Sequence, residues 1–173
     1  MTNQEILDSE GVQPEEKEPS LGYIMNLRKY VGHSPLIMCG AGVIAENTQG
    51  EILLGRRRDN GMWDDAGGAL ELGESLEDCA KRELLEEMGI TANRLEVLGV
   101  FSGAPPFTYP NGDVVENVSV VYVCRDFCGT PKAQTEEVSE LRWFSLAELI
   151  NDFSLINPPS RVFFEKYIES RSH

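Results

Sequence analysis

Nowhere in this chain does an apolar run approach the roughly 20 residues that a membrane-spanning helix needs, and no basic-then-apolar segment opens it. Neither a membrane protein nor a signal-bearing one is expected. Histidine is scarce, and His33 and His173 are too isolated to propose as catalysts or as a ligand pair. The four cysteines, Cys39, Cys79, Cys124 and Cys128, form no C-x-x-C pair, which argues against a zinc ribbon or dithiol centre. Reduced thiols in a cytoplasmic protein are the expectation. Basic residues are short as well: 15 against 29 acids, a net charge of −14. Such a surface repels an extended nucleic-acid polymer but admits a small anion held through a metal ion.

What remains is ordinary for a globular enzyme: 173 residues, 41% hydrophobic and 25% charged, enough for one domain with a sizeable core. Residues 1–20 hold six acids, one lysine and two prolines with little periodicity and read as a flexible acidic tail before a single domain over 21–173. A short helical pattern over Leu21 to Tyr30 offers Ile24, Leu27 and Tyr30 for packing on the body or on a partner subunit. Strands are expected at Leu36 to Ala45 and Glu51 to Arg57, joined by a polar turn ending in Gly50, and again at Arg94 to Phe101, Val114 to Arg125 and Leu141 to Phe144. Short helices near Leu146 to Ile150 and from Ser160 to Ser170 complete the order. The pattern is that of a mixed sheet between helices, an α/β class.

The most informative stretch runs from Gly68 to Ile90, GALELGESLEDCAKRELLEEMGI. Ser75 can cap a helix with Asp78 three residues on, and Gly89 suits a left-handed C-terminal cap, so a helix is expected from Leu76 to Met88. Leu76, Ala80, Leu84 and Met88 give it one apolar stripe. Beside that stripe, Glu83, Glu86 and Glu87 sit at i, i+3 and i+4, where Cβ atoms lie roughly 5–6 Å apart. Like charges so placed need a cation; Arg82 can neutralise part of the cluster, and hard carboxylate oxygens are the ligands Mg²⁺ takes, with Mn²⁺ as the substitute. The bland reading of such a run is a solvated helix face.

At every defined position, Gly68, Glu74, Arg82-Glu83-Leu84, Glu86-Glu87 and Gly89-Ile90, the stretch resembles the box of the Nudix hydrolases, the MutT-like pyrophosphatases. Such a match recurs by chance in on the order of one in ten million chains of this size. The resemblance implies an α/β/α sandwich around a mixed sheet, extending loosely over Leu36 to Phe144, and a homodimer. It implies metal ligation by Glu83, Glu86, Glu87 and the Gly67 carbonyl, with Glu74 and Arg82 as the pair that orients the cluster. A general base outside the box is placed at Glu137, with Glu136 next. The implied activity is metal-dependent hydrolysis of the pyrophosphate linkage of a nucleoside diphosphate joined to another group, the metal screening the phosphate oxygens and activating water. A nucleotide-binding regulator on the same fold is the competing expectation.

One departure stands ahead of the box. Family members commonly read tryptophan, any residue, leucine, proline and two glycines, where this chain has Trp63-Asp64-Asp65-Ala66-Gly67-Gly68. A tolerated loop variant is one reading of Asp65 and Ala66; weaker substrate binding and an extra metal ligand are the others. For the substrate, strand alternation puts Arg56 and Arg58 on one face and Arg57 on the other, so Arg56 or Arg57 can meet a phosphate. Phe107 and Tyr109 are candidates to stack a base, and equally to pack. Pro106, about 16 residues beyond the box, resembles a mark of ADP-ribose pyrophosphatases, which ranks ADP-ribose-like sugars ahead of ordinary or oxidised nucleoside triphosphates. Tyr109 falls slightly out of register with the tyrosine of dinucleoside polyphosphate hydrolases.

Overall fold

The computed structural model describes residues 22–133 and 136–171. The expected acidic tail, Leu21 and His173 lie outside them. In chain order the elements are α1 (Tyr23–Val31), β1 (Leu36–Glu46), β2 (Ile52–Arg57), β3 (Trp63–Asp64), β4 (Ala66–Ala69), α2 (Leu76–Met88), β5 (Thr91–Phe101), β6 (Phe107–Thr108), β7 (Val114–Cys128), β8 (Val138–Phe144), α3 (Leu146–Asn151) and α4 (Arg161–Arg171). Single 3₁₀ turns at Phe153–Leu155 and Pro158–Ser160 link the last two helices.

A mixed sheet runs in the order β3-β2-β1-β7-β5, with β8 on β2, β4 on β1 and β6 on β7. Strands β1 and β7 pair in parallel from Leu36 with Val115 to Ala45 with Cys124; the remaining strand pairs are antiparallel. The β1–β2 turn is closed by Asn47, whose Oδ1 accepts the amides of Gln49 and Glu51 at 2.9 and 3.0 Å. Beyond it the two strands part: they pair at Ala45 with Leu53 and Glu46 with Ile52, and then β3 continues on β2 while β4 continues on β1. Residues Trp63 to Ala69 thus fill a wedge in the sheet, and Asp65 is the hinge between the two short strands.

Alternation divides the core. Ala41, Val43, Ala45, Tyr122 and Cys124 face α2, where Cys79, Ala80, Leu84 and Met88 are fully buried. Ile44, Val121 and Val123 face the other side, against Leu149, Ile156, Phe164 and Tyr167. This is the expected α/β/α sandwich. Helix α1 departs from expectation at Tyr30, which is 87% exposed; Ile24 and Leu27 are half-buried, and buried Arg28 anchors the helix by donating to the carbonyls of Gly32, Ser34 and Val114. An arginine at that position satisfies loop carbonyls that an apolar residue would leave unpaired.

Candidate active site

Helix α2 is fixed at both ends as its sequence dictates. Ser75 Oγ accepts the Asp78 amide at 3.1 Å, and Gly89 takes φ 71° to donate its N–H to the Leu85 carbonyl at 3.0 Å. Those caps and the buried stripe set the rotation of the helix, and that rotation turns Glu83 and Glu87 onto β4. Glu87 Oε2 accepts the Gly67 N–H at 3.0 Å. Glu83 lies so close to Gly68 that a Cβ there would run into its carboxylate, which is why glycine is needed at this crossing. Glu86 projects outward, with 59% of its side chain exposed, and meets the others only through Arg82.

Arg82 organises the group. Its guanidinium donates to Glu74 Oε1 and Oε2 at 2.7 and 3.0 Å, to Glu83 at 2.6 Å, to Glu86 at 3.2 Å and to the Ala69 carbonyl at 3.1 Å. The Glu74 carboxyl is held below its ordinary range by Arg82. Cys79 Sγ adds weak contacts to the carbonyls of Gly68 and Ala69 at 3.7 and 3.6 Å, an anchor hidden in sequence because cysteine on an apolar stripe reads as packing.

The charges do not balance. Burial pushes Glu87 up to about 9, with Glu83, Glu137 and Asp64 adding repulsion that the Gly67 amide only partly offsets. Burial raises Glu83 too, in spite of Arg82. Carboxylates so short of positive charge, all oxygen donors, fit a hard divalent cation. Among the described residues no three candidate ligands converge on one point as they stand, because Arg82 occupies the space between Glu83 and Glu86 and Glu87 is engaged by Gly67.

The departure ahead of the box takes a definite form. Asp64 and Asp65 are both buried in the wedge. Asp64 is held by Asn157 Nδ2 at 2.6 Å and Arg57 Nη1 at 3.5 Å, and its Oδ1 accepts the Asp65 amide at 3.1 Å. Among the described residues Asp65 has no cation, and its Oδ2 is buried without a hydrogen-bond partner against Gly42, where a Cβ would displace it. Burial, followed by the Asp64 charge, raises Asp65 well above the carboxylate range, and burial raises Asp64 as well, in spite of the hydrogen bonds and the Arg57 charge that hold it.

This pair forms a wall between two hollows. On the α4 side lies a cavity of about 730 Å³, lined by Arg57, Gly67, Gly68, Pro106, Phe107 and Tyr109 among others. On the other side is a cleft of about 310 Å³ lined by Arg57, Arg58, Glu87, Glu136 and Glu137. Arg57, Asp64 and Asp65 border both. Of the candidates named from sequence, Gly67, Arg57, Glu87, Glu137, Phe107 and Tyr109 line the hollows, and Glu74, Glu83 and Glu86 line neither but are joined to one another through Arg82; Arg56 turns away to the Gly61 carbonyl at 3.1 Å and to Glu140 at 3.7 Å. A register shift between Arg56 and Arg57 in the β2–β8 ladder accompanies the turn of Arg57 to the site. Phe107 and Tyr109 pack edge to face, centroids 5.0 Å apart, at the cavity wall. Asn157, the clamp on Asp64, was not legible, since its partner lies 93 residues away.

The model of the NUDIX domain matches residues 38–167. The chain belongs to this family. Among curated relatives, the NAD-capped RNA hydrolase NudC of Vibrio cholerae is 30% identical over 109 residues, 62% of this chain and 37% of that protein. A putative 8-oxo-dGTP diphosphatase of Bacillus subtilis is 45% identical over 62 residues, 36% of this chain and 42% of the relative. The chain spans well under half the length of these two curated relatives. Among solved structures, a MutT NUDIX hydrolase from Burkholderia pseudomallei superposes with a TM-score of 0.64 at 27% identity, covering 76% of this chain and 98% of its own. The Nudix fold expected from the box is thus shown. Among the described residues no helix is long and apolar enough to cross a membrane.

Proposed function

We propose that this chain is a divalent-metal-dependent pyrophosphohydrolase. Its substrate is a nucleoside diphosphate linked to another group, ADP-ribose-like sugars first, with nucleoside triphosphates or their oxidised forms next. The observation that carries the reading is the seating of Glu83 and Glu87 against Gly67 and Gly68 with too little positive charge to balance them. Glu83, Glu86, Glu87 and the Gly67 carbonyl would hold Mg²⁺ or Mn²⁺. When bound, the cation screens the phosphate oxygens and makes water acidic.

The chain's own residues supply the rest. Arg82, pinned by both oxygens of Glu74, sets the direction of Glu83 and Glu86. Arg57, at the junction of the two hollows, is placed to meet a phosphate passing from one to the other. Glu137, whose carbonyl accepts the Arg58 amide at 3.0 Å, stands in the cleft with Glu87 to take the proton of the attacking water, with Glu136 next to it. Water oxygen bonds to phosphorus as the bridging P–O bond breaks, giving a nucleoside monophosphate and a phosphorylated remainder. The 730 Å³ cavity, with Pro106, Phe107 and Tyr109 in its wall, accommodates the nucleoside end.

The V. cholerae relative is named for NAD-capped RNA. The net charge of −14 opposes long contact with a polymer, and a single cap at an RNA end is the form in which such a substrate is compatible with it. Homodimerisation and a cytoplasmic location belong to the same proposal, and light scattering and cell fractionation test them.

A second reading, a weak nucleotide-binding regulator, is favoured by one observation, the acidic Asp64–Asp65 wall where substrate phosphates must pass. A hydrolysis panel decides between them: ADP-ribose, nucleotide sugars, dinucleoside polyphosphates and nucleoside triphosphates with Mg²⁺ or Mn²⁺, products separated by chromatography, Glu87→Gln as control. Turnover on the panel that falls at least 100-fold in Glu87→Gln is expected. An unchanged rate in the mutant removes Glu87 from the metal site, and silence across the panel with metal still bound favours the regulator.

A further inference from the structure

The floor of the large cavity is a sheet face built from alternate residues of two strands, Met38, Gly40 and Gly42 of β1 and Val115, Asn117 and Ser119 of β7. The two glycines leave that face low, since a Cβ on Gly40 or Gly42 would strike the Gly68 carbonyl or the Asp65 carboxyl. On this low floor two polar side chains stand together, Asn117 and Ser119, one strand period apart.

Asn117 has an unmet need. Its Oδ1 is buried and accepts no hydrogen bond from the described residues, whereas the other two amides in the cavity wall are engaged: Asn157 donates to Asp64 and accepts from Asn60, whose own Oδ1 accepts the Met62 amide. A buried carbonyl oxygen left in that state is costly, and an amide lining a ligand cavity recovers the cost when a ligand offers a donor. The ionisable lining groups Arg57, Asp64 and Asp65 are at the box end of the cavity. Around Asn117 the lining is neutral and aromatic or prolyl, including Phe101, Pro105 and Phe107.

Strand geometry fixes which part of a substrate reaches this floor. Gly67 pairs with Gly42, Gly42 lies two and four residues along β1 from the partners of Ser119 and Asn117, and β7 is the next strand over. At about 3.3 Å per residue and about 4.8 Å per strand, Ser119 and Asn117 lie on the order of 12 and 16 Å from Gly67, and on the order of 10 and 14 Å from Gly68, which pairs with Ala41. A ribose attached to a diphosphate at the box does not reach so far, and the outer edge of its base does.

We propose that Asn117, with Ser119 beside it, reads the neutral hydrogen-bonding edge of the substrate's purine base. The amide presents a donor and an acceptor side by side, the complement of the adjacent donor and acceptor on adenine. This inference rests on the nucleotide-hydrolase reading above and adds a specificity residue to it.

The test is equilibrium binding, which needs no turnover. Isothermal titration of the full chain with AMP, GMP and ribose 5-phosphate, all with Mg²⁺, should show the preferred purine nucleotide binding at least tenfold tighter than ribose 5-phosphate. In Asn117→Leu that preference should fall to about twofold or less, with ribose 5-phosphate unchanged; a bidentate amide–base pair is worth about tenfold or more. Thermal melting establishes that the variant is folded, and if it is not, the isosteric Asn117→Asp is read in the same way. A wild type that binds purine nucleotides and ribose 5-phosphate alike, or a folded variant that keeps the preference, overturns the proposal. An active hydrolysis panel beside a retained preference defeats this inference alone, and a silent panel beside a lost preference defeats only the enzyme reading.

Discussion

Replacing Arg82 by alanine removes five hydrogen bonds to oxygen at once and leaves Glu74 and Glu83 without their cation, with 14% and 11% of their side chains exposed. Breaking a fully buried ion pair costs about 3–5 kcal/mol, chiefly through the partner left charged and unpaired. Arg82 is 29% exposed, so water reaches part of the cluster, and the cost is better placed at about 2–3 kcal/mol. For a chain of 173 residues each kcal/mol moves the melting temperature by about 2–4 °C, which predicts a fall of about 4–12 °C. The assay is thermal denaturation followed by circular dichroism, in EDTA and again in Mg²⁺. Mg²⁺ should restore a part of the loss in the variant larger than the gain it gives the native chain, because the cation takes over the orphaned carboxylates. Arg82→Lys should recover less than half of the EDTA deficit, since one ammonium cannot match a fork spread over three carboxylates and a carbonyl. A fall below 2 °C in EDTA would show that Arg82 is a solvated surface cation and refute the electrostatic reasoning.

Two further outcomes follow from the same geometry. Burial raises Glu87 from 4.5 to about 9 and raises Asp65 as well, so through Glu87 the folded chain binds more protons than the unfolded chain between pH 4.5 and about 9, and Asp65 acts in the same direction. Their contribution is fully present below about 4.5 and is lost as pH rises; in EDTA the melting temperature should therefore decline towards pH 9, by about 1–3 kcal/mol of stability after solvent screening, while Asp65→Asn and saturating Mg²⁺ each flatten the decline. A melting temperature independent of pH over that window in EDTA would contradict it. Gly68→Ala puts a methyl group into the Glu83 carboxylate and should lower kcat by about 10- to 100-fold with little change in melting temperature, as a ligand displaced by about 1 Å does; unchanged steady-state kinetics would separate Glu83 from the chemistry.

The parts of this molecule that are local in sequence were legible and those that depend on distant partners were not. The box helix could be read because its signals lie within one 15-residue window: Ser75 as cap, the stripe ending at Met88, Gly89 as stop. The strands were placed to within a few residues at their alternating centres, yet their ends ran long, as at Thr91–Phe101 and Val114–Cys128, where bulges between β5 and β7 carry pairing past the apolar pattern. Strands β3 and β4 were missed altogether. A run of tryptophan, two aspartates, alanine and glycines has no periodicity, and it becomes strand because β1 and β2 diverge and leave backbone groups to be paired. The same tertiary fact explains Asp65: its ambiguity in sequence resolves into a buried carboxyl only when the wedge closes over it and Gly42 makes room. Tyr30 and Arg56 went the other way, side chains whose type suggested contact but whose local geometry turned them outward.

The parallel pairing of β1 with β7 also sets the order in which the protein can be finished on a ribosome. Ala45 meets Cys124, 79 residues later, so at about 5–20 residues per second the central strand waits about 4–16 s for the neighbour that covers one of its edges. During that interval β1 holds β2 through two residue pairs and β4 through four, and the apolar run from Ala41 to Ala45 has no β7 beside it. Nascent chains released before Val114 would present that open edge to one another, which makes truncation within the first two thirds of the sequence a route to aggregation rather than to a smaller folded unit.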